Sequence, residues 1–357
     1  MSGPVPGQVR LGDDVLTVGR AWPRGPRDGG ETVLVEGRDS AGRLRAARLQ
    51  LQPHAGLGWQ VDSVRVAKPG QDPRLPDLAA AASGGTLLVH RFGKRAVVRF
   101  PDRFVKVVRP GEGPAVATAA RQGEAVAAGA GLAAPAVLGA GSAVVTFSVL
   151  PGRSLHELGG VATRHEWSRW WALWADQWVR LARTRTDGDL PRHAAHDEAV
   201  TLRRWLQHVE RLEALPVELA QRVRARAEAV TADLIAEPAQ DLVVSHRDLH
   251  DKQMLAHGDS LGLLDFDTVS LAEPALDLGN LWVHARLRAD QGLWSQRHSQ
   301  VAQEAVRAVA SELGVGDERF ATYAEATRLR LACLYAFRPR HRGLALEWAA
   351  GEPSVLV

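Results

Sequence analysis

The residues of this chain whose types and spacing suit chemistry begin with an aspartate behind an apolar segment. Asp248 follows residues 242–244, and Gln253 lies five residues further along. Asp265 then follows a second apolar segment, residues 261–264. Phosphoryl transfer uses a carboxylate to orient a hydroxyl nucleophile, and amide and carboxylate oxygens to hold Mg²⁺ on ATP. The spacing therefore predicts Asp248 as the catalytic residue, and Gln253 and Asp265 as magnesium ligands.

Asp267, Lys106 and Glu124 extend this set, and each has a second interpretation. Asp267 either binds a second Mg²⁺ or a metal-bound water, or it makes a structural hydrogen bond to its loop. Lys106 lies between valines in a strand-like run, so its ammonium is expected to neutralise the α- and β-phosphates of ATP. The alternative is a surface lysine on an edge strand. Glu124, on a predicted helix, is expected to pair with Lys106 and is otherwise a solvent-facing glutamate.

The first 83 residues are predicted to form a separate β-rich unit. Apolar runs at 32–36 and 45–51 flank a turn signal at 39–42, and residues 59–66 alternate apolar and polar side chains as a half-buried strand does. The unit could cap the lobe that binds nucleotide, mediate dimerisation, or reach over the acceptor site, and the sequence does not choose between these roles. Monomer and homodimer both stay open.

Residues 84–152 are expected to form a sheet with one helix, which brings Lys106 and Glu124 together. Gly93 lies in the turn between the first two predicted strands and makes this turn the candidate nucleotide loop. A helix is expected from Pro114, since proline suits the first helical position, to about residue 128. The predicted strands are 86–90, 96–100, 104–108, 135–138 and 144–150.

Residues 153–357 are expected to be mostly helical. Four tryptophans lie on one helical face, which predicts a core stripe and, as the alternative, aromatic platforms for a sugar ring. They are Trp167, Trp171, Trp174 and Trp178. Asp277, twelve residues after Asp265, is expected to cap the helix that follows the site and to tie back to the catalytic loop. We assign Asp277 a structural role.

Composition excludes several classes of protein. The net charge is +3 and the arginines are spread along the chain, whereas nucleic-acid binding favours a basic stripe with interleaved aromatic residues. The single cysteine, Cys333, rules out an internal disulfide framework. The first 14 residues have no apolar signal-peptide core, and residues 114–150 are too polar to span a bilayer. We therefore expect a cytoplasmic protein that binds neither nucleic acid nor membranes.

The ordered set of residues resembles the aminoglycoside phosphotransferase and choline kinase superfamily over residues 84–340. The resemblance rests on His246-x-Asp248-x-His250-x-x-Gln253, on Asp265-Phe266-Asp267, and on Glu273-Pro-Ala-Leu-Asp277, with Lys106 and Glu124 upstream. It implies an α+β, two-lobed protein-kinase-like fold. In this fold an antiparallel β N-lobe with one helix (84–152) precedes a mostly helical C-lobe (153–357), here behind the β-rich unit.

The resemblance also implies ATP and Mg²⁺ as cofactors and a small-molecule hydroxyl as phosphate acceptor. Asp248, Gln253 and Asp265 carry over by position, and adenine is expected at a hinge that includes Val149 and Leu150. A protein kinase matches less well, because no Gly-x-Gly-x-x-Gly loop precedes Lys106 and the segment after Asp265 is too short for an ordinary activation loop.

Gln253 departs from most of this family, which has asparagine at that position. Maltokinase-like and glucosamine-kinase-like members share the glutamine and also carry an extra N-terminal unit, which favours a sugar or aminosugar acceptor. The alternatives are an aminoglycoside-type antibiotic and a catalytically inactive nucleotide-binding module. A polycationic antibiotic requires an acidic acceptor cleft. The region 153–240 contains many arginines beside its acids, which include Glu157, Glu166, Asp176, Asp187, Asp189, Asp197 and Glu198.

Overall fold

The chain opens with a five-stranded antiparallel meander whose strands pair in chain order. The computed structural model describes residues 3–27, 29–56, 58–185, 190–236 and 240–351 of the chain. The three strands predicted here are confirmed. Two strands that the sequence did not predict precede them, and in the second of these glycines and prolines break the alternation of apolar and polar residues. The strands are β1 (Gln8–Leu11), β2 (Asp14–Arg27), β3 (Gly30–Arg38), β4 (Leu44–His54) and β5 (Gly58–Val66).

A short helix, α1 (Leu78–Ala81), leads into a second five-stranded sheet. Its strands pair in the order β6-β7-β8-β10-β9, and all of these pairs are antiparallel. One helix crosses from β8 to β9, as the sequence predicted. The elements are β6 (Thr86–Arg91), β7 (Arg95–Arg99), β8 (Arg103–Val108), α2 (Gly113–Gly129), β9 (Val137–Ala140) and β10 (Val144–Ser148).

The remainder is mostly helical, with two small three-stranded sheets that carry the loops of interest. One sheet contains β11 (Arg153–Ser154), β14 (Met254–His257) and β15 (Ser260–Leu263), and the other contains β12 (Arg192–His193), β13 (Val243–Ser245) and β16 (Ser270–Ala272). A 3₁₀ turn (Phe266–Thr268) precedes β16 and another (Pro339–His341) precedes the last helix. The helices are α3 (Leu155–Leu158), α4 (Arg164–Ala182), α5 (Ala195–Arg211), α6 (Val217–Ala236), α7 (Pro274–Asp290), α8 (Gln296–Glu312), α9 (Asp317–Tyr335) and α10 (Arg342–Ala350).

The four-tryptophan face of α4 is part of the core. Trp167, Trp171, Trp174 and Trp178 are all buried, and neighbouring rings pack at centroid distances of 5.4–6.0 Å. The first interpretation of this stripe is confirmed. These rings have no exposed face for a sugar, so the alternative of sugar-binding platforms is wrong.

The first sheet contacts both of the regions that follow it. The backbone N–H of His90 on β6 donates to Glu36 Oε2 on β3 at 2.7 Å. On the helical side, Arg211 Nε of α5 lies 3.1 Å from Glu31 Oε1. Apolar residues of the meander and of the helical region also belong to one continuous core. The meander therefore spans the two regions rather than standing apart from them.

The two-lobed α+β architecture is confirmed, while the boundaries at residues 83/84 and 152/153 stay a prediction. Within the described ranges, we find no helix with the length and apolar content needed to cross a bilayer. Cys333 is fully buried on α9, and burial raises the pKa of its thiol to about 12. This side chain is therefore a thiol that packs in the core.

Candidate active site

A cavity of about 340 Å³ lies between the second sheet and the β14–β15 hairpin. One part of its lining is apolar and includes Val89, Phe104, Phe147, Leu150 and Leu255, while the other part carries charge and amide groups: Arg95, Lys106, Gln253, Asp265 and Asp267. An apolar slot with a polar end matches the two parts of a nucleotide, a flat base and a charged phosphate chain. The cavity thus brings together five of the residues predicted from the sequence: Lys106, Leu150, Gln253, Asp265 and Asp267.

Lys106 is the central charge of the polar end. Its strand β8 is in the middle of the sheet, so the edge-strand alternative is wrong. Lys106 Nζ lies 3.2 Å from Asp265 Oδ1 and also contacts Asp267, whose second cationic partner is Arg95 at 3.2 Å. Burial raises the pKa of Asp265, but the charges of Lys106 and Arg95 outweigh it and hold that pKa below its ordinary value. The carboxylate is therefore ionised at neutral pH.

The expected pair between Lys106 and Glu124 is not formed. Both residues are described, and the ion pairs of Lys106 go to Asp265 and Asp267. Glu124 is half-buried, and the α2 residue that lines the cavity is Ala120, one turn earlier. The two aspartates reach the ammonium from the opposite wall of the cavity, which the spacing along the chain could not reveal.

Helix α2 approaches the Asp265 segment so closely that glycine is required at one position. A Cβ built on Gly123 would lie 2.0 Å from Cγ of Phe266, which is a clash that no flexible side-chain end can relieve. Phe266 follows Asp265, whose backbone is in the left-handed region at φ 60°. The packing of Phe266 on Gly123 therefore helps to fix the two aspartates that flank this ring.

Asp248 lies in the loop between β13 and β14, which the sequence predicts to be catalytic, with 54% of its side chain exposed. Its Oδ2 lies 3.9 Å from His250 Nε2, and the preceding residue, Arg247, has φ 67°. Asp248 does not belong to the lining of the 340 Å³ cavity. Gln253, at the end of the same loop, does line the cavity. The exposed carboxylate of Asp248 is open to a second molecule, as a group that orients an acceptor hydroxyl must be.

A buried ionic cluster braces this loop, and sequence reasoning missed it. Asp251 accepts from Arg288 Nε at 2.8 Å and from Arg288 Nη2 at 2.8 Å, and His156 Nδ1 lies 2.6 Å from Asp251 Oδ2. Burial raises the pKa of Asp251, but hydrogen bonds from His156 and Arg288 and the charge of Arg288 hold it far below the ordinary value. The sequence held one sign of this cluster: Asp251 is a second acid close to Asp248, in the same loop.

Asp277 lies in the first turn of α7 and anchors the loop from its other end. Its Oδ2 accepts from Ser245 Oγ at 2.7 Å and from the His246 N–H at 2.6 Å. The expected tie to the catalytic loop is therefore present. The expected cap is wrong, because α7 begins at Pro274 and its cap residue is Glu273. Burial raises the pKa of Asp277, in line with a structural carboxyl.

The remaining predicted residues divide between the cavity and its rim. Leu150 lines the cavity, but Val149 does not and its side chain is 39% exposed, because neighbouring side chains in an extended chain point to opposite sides. A further contact concerns the Gly93 turn, whose N–H donates to the buried Asp72 Oδ2 at 2.6 Å.

The oxygen atoms at the polar end suit a hard cation. Gln253 and Asp265 supply amide and carboxylate oxygens, the donors that Mg²⁺ prefers. Among the described residues we find no cluster of three or more histidine, cysteine or acidic side chains arranged to hold a metal. A cation here would therefore depend on phosphate oxygens for part of its coordination, which is the usual arrangement for Mg²⁺ with a nucleotide.

Comparisons with known proteins agree with this geometry. The model of a family described as "Phosphotransferase enzyme family" matches residues 82–325. Aminoglycoside phosphotransferase APH(3'')-Id from Streptomyces rimosus is 21% identical at a TM-score of 0.50, over 72% of this chain and 96% of that chain. A GDP and kanamycin complex of APH(2")-IIia is 13% identical at a TM-score of 0.52, over 75% and 91%.

A glucosamine kinase is similar over more of the chain. It is 18% identical at a TM-score of 0.48, over 97% of this chain and 94% of that chain. No curated protein matches the sequence. At these identities, the likeness to the first two solved structures supports the kinase-like fold and leaves the acceptor open.

Proposed function

Because the chain belongs to the phosphotransferase enzyme family, we propose that it transfers the γ-phosphate of ATP to a hydroxyl group of a small sugar-like molecule, with Mg²⁺. The observation that carries the proposal is the cavity in which Lys106, Gln253, Asp265 and Asp267 form one polar end beside the loop of Asp248. Sugars and aminosugars are the first acceptors to test, and aminoglycoside-type antibiotics are the alternative.

Each residue in the proposal has a distinct role. Lys106 binds the phosphate chain, and Gln253 and Asp265 hold Mg²⁺, which supplies charge neutralisation for the transferred group when it is bound. Asp267 binds a second Mg²⁺ or a metal-bound water, or it holds Lys106 in place through the ion pair seen here. Asp248 accepts a hydrogen bond from the acceptor hydroxyl and points its oxygen toward the phosphorus atom. Positioning of this kind accounts for much of phosphoryl-transfer catalysis.

The base fits the apolar part of the cavity, where Leu150 is in the lining and Val149 is at its rim. In this proposal the region 84–152 is the nucleotide-binding lobe and the region 153–357 carries the catalytic loop. Glu124 has no direct part in the proposed site, because Lys106 is already held by two aspartates.

The test is ADP release with Mg-ATP and a panel of sugars, aminosugars and aminoglycosides, with Asp248→Asn in parallel. Removing a group that positions and deprotonates the nucleophile is expected to lower kcat by roughly 10²–10⁴-fold. Asp259→Asn is the matched control, since Asp259 is a 91% exposed aspartate in the nearby β14–β15 turn. Retention of wild-type kcat by Asp248→Asn would refute the assignment, and binding of ATP should survive in both variants.

A further inference from the structure

Strand β2 of the N-terminal meander lies against the β6–β7 turn, and Arg95 at the end of this turn lines the proposed nucleotide cavity. Arg20, Trp22 and Arg24 of β2 are more exposed than the buried Ala21 and Pro23 between them, and the pairing with β3 shifts by one residue at Arg24. The guanidinium of Arg91, from the end of β6, stacks on the Trp22 ring at 4.8 Å. The strand therefore presents arginines beside the turn that carries Gly93.

A cavity of about 290 Å³ lies between this strand and the β6–β7 turn. The described residues that line it include no carboxylate. The segment between β5 and α1 also packs on this turn, because a Cβ on Gly93 would lie 2.9 Å from Arg74 Cδ. The basic residues of the lining are Arg24, Arg27, Arg48, Arg74 and Lys94.

Helix α5 closes the same space from the helical region. A Cβ on Gly25 would lie 3.6 Å from Arg211 Nη2, which places this end of α5 against β2. Arg204 precedes Arg211 by seven residues, about two helical turns, and therefore lies on the same face of α5. The side chain of Arg204 is exposed. Burial and the charges of Arg109 and Arg204 lower the pKa of Arg24, so Arg204 and Arg24 are close enough to repel each other.

Four of these cations have no acidic partner in the described part of the chain. Within the described ranges no carboxylate forms an ion pair with Arg24, Arg91, Lys94 or Arg204. The acids that approach the group have other partners: Glu112 pairs with Arg109, Glu31 with Arg211, and Asp267 with Arg95 and Lys106.

Burial and the repulsion among these cations both act on the pKa of Arg91. Burial and the charges of Arg24, Arg95 and Arg204 lower the pKa of Arg91 to about 10. The Nε of Arg91 is also buried without a hydrogen-bond partner in the described part of the chain. An anion placed among these side chains would relieve the repulsion and satisfy the donor.

Acids of the helical region do not offset this charge. Of those noted in the sequence, Asp187 and Asp189 lie outside the described residues. The others all have local partners: Glu157 and Glu166 cap helices α3 and α4, Asp176 pairs with Arg180, Asp197 accepts from the Ala194 N–H, and Glu198 pairs with His193.

Given the proposed kinase activity, on which this step rests, we propose that the acceptor carries a phosphate or carboxylate group, which Arg24 and Arg204 bind beside the β6–β7 turn. The N-terminal unit is then part of the acceptor site and selects anionic sugars over neutral sugars and aminosugars. A polycationic antibiotic is a poor match for such a surface, because like charges would face each other across the site.

The experiment measures binding to the full chain saturated with ADP and Mg²⁺, so that the nucleotide phosphates already occupy their own site. Four ligands with the same six-membered sugar ring are titrated calorimetrically: glucose 6-phosphate, glucuronate, glucose and glucosamine. The first two are expected to bind at least tenfold more tightly than glucose, and glucosamine most weakly. Raising the salt concentration should reduce this preference, since partly exposed charges are screened.

Two variants on separate elements locate the site. Arg24→Gln and Arg204→Gln should each weaken binding of glucose 6-phosphate by about 10–100-fold, the usual effect of losing a hydrogen bond to a charged group. Binding of glucose should change less than twofold. Arg10→Gln on β1, which removes an exposed arginine from the same meander, is the charge-matched control and should change neither affinity.

The outcomes separate this inference from the proposed function. Equal binding of the four hexoses, or tightest binding of glucosamine, overturns the anionic acceptor even if ADP release shows that a neutral sugar is phosphorylated. A loss of ADP affinity in Arg24→Gln that equals its loss of hexose phosphate affinity also overturns it, because the cations would then serve the nucleotide. If anionic hexoses bind tightly but Mg-ATP yields no ADP with any acceptor, the anion site is supported and the kinase activity is refuted.

Discussion

The buried pair of Asp251 and Arg288 allows a stability prediction with an internal control. Arg288 lies on α7 with only 3% of its side chain exposed, and Asp251 is fully buried. The guanidinium makes a two-pronged contact, with Nε 2.8 Å from Oδ2 and Nη2 2.8 Å from Oδ1. Arg288→Gln would leave the carboxylate of Asp251 in the interior without its cation.

The magnitude follows from the burial of both partners. Breaking a buried ion pair by removing one member costs about 3–5 kcal/mol, because the remaining charge is buried without its ionic partner. Asp251 would keep its contact with His156 Nδ1 at 2.6 Å, so we expect a loss of about 3 kcal/mol, at the lower end of this range. Arg286→Gln is the matched control, two residues earlier on the same helix. Arg286 is 57% exposed and pairs with Asp290 at 2.9 Å, so its loss should cost only about 0–1 kcal/mol.

The assay is equilibrium urea unfolding of the full chain, with ADP release measured in parallel. Asp251 is three residues from Asp248, and its carbonyl accepts from the His156 N–H at 3.1 Å, so Arg288→Gln should also lower kcat through disorder of the loop. Equal destabilisation by the two glutamine variants would refute the reasoning. So would strict additivity of Arg288→Gln with Asp251→Asn, because the double variant removes both buried charges and must cost less than the sum.

Two further predictions concern packing and pH. Gly123→Ala should destabilise the protein by about 1–3 kcal/mol through its clash with Phe266 and weaken ATP binding. Gly129→Ala on the same helix meets only ordinary contacts and should be neutral or stabilising in the same urea titrations; similar losses in both would exclude the clash as the cause. Burial and nearby arginines lower the pKa of His208 to about 4, so the folded state binds fewer protons than the unfolded state below pH 6.5. Stability should fall by about 1–2 kcal/mol, after allowance for screening, between pH 6.5 and 4, and His208→Gln should remove that fall in unfolding curves measured across the range.

The sequence predicted those features that depend on local spacing. The strand that carries Lys106 and the helix behind Asp265 follow from short-range patterns of apolar and turn residues. The four-tryptophan face of α4 was correctly interpreted as core, because a regular helical spacing of large apolar side chains is typical of a buried face.

Contacts between segments far apart in the chain could not be predicted from the sequence. Arg288 is 37 residues from Asp251, and Asp267 is 161 residues from Lys106. No periodicity links such pairs, and the nearer Glu124 therefore took the place of Asp267 in the predicted ion pair. The long strand β2 was missed for a different reason: Gly19, Pro23 and Gly25 interrupt its alternation.

The charges around the site fall into two sets with different consequences. Inside the cavity, Arg95 and Lys106 are matched by Asp265 and Asp267, so this set is electrically balanced in the protein alone. Outside it, no carboxylate in the described part of the chain forms an ion pair with Arg24, Arg91, Lys94 or Arg204. In the balanced set, Mg²⁺ and the nucleotide phosphates add opposite charges together, so Lys106 can pass from the aspartates to the phosphates while the metal takes its place. The anionic acceptor that we propose would supply the charge that the second set lacks, and for this reason the N-terminal meander enters the argument about specificity.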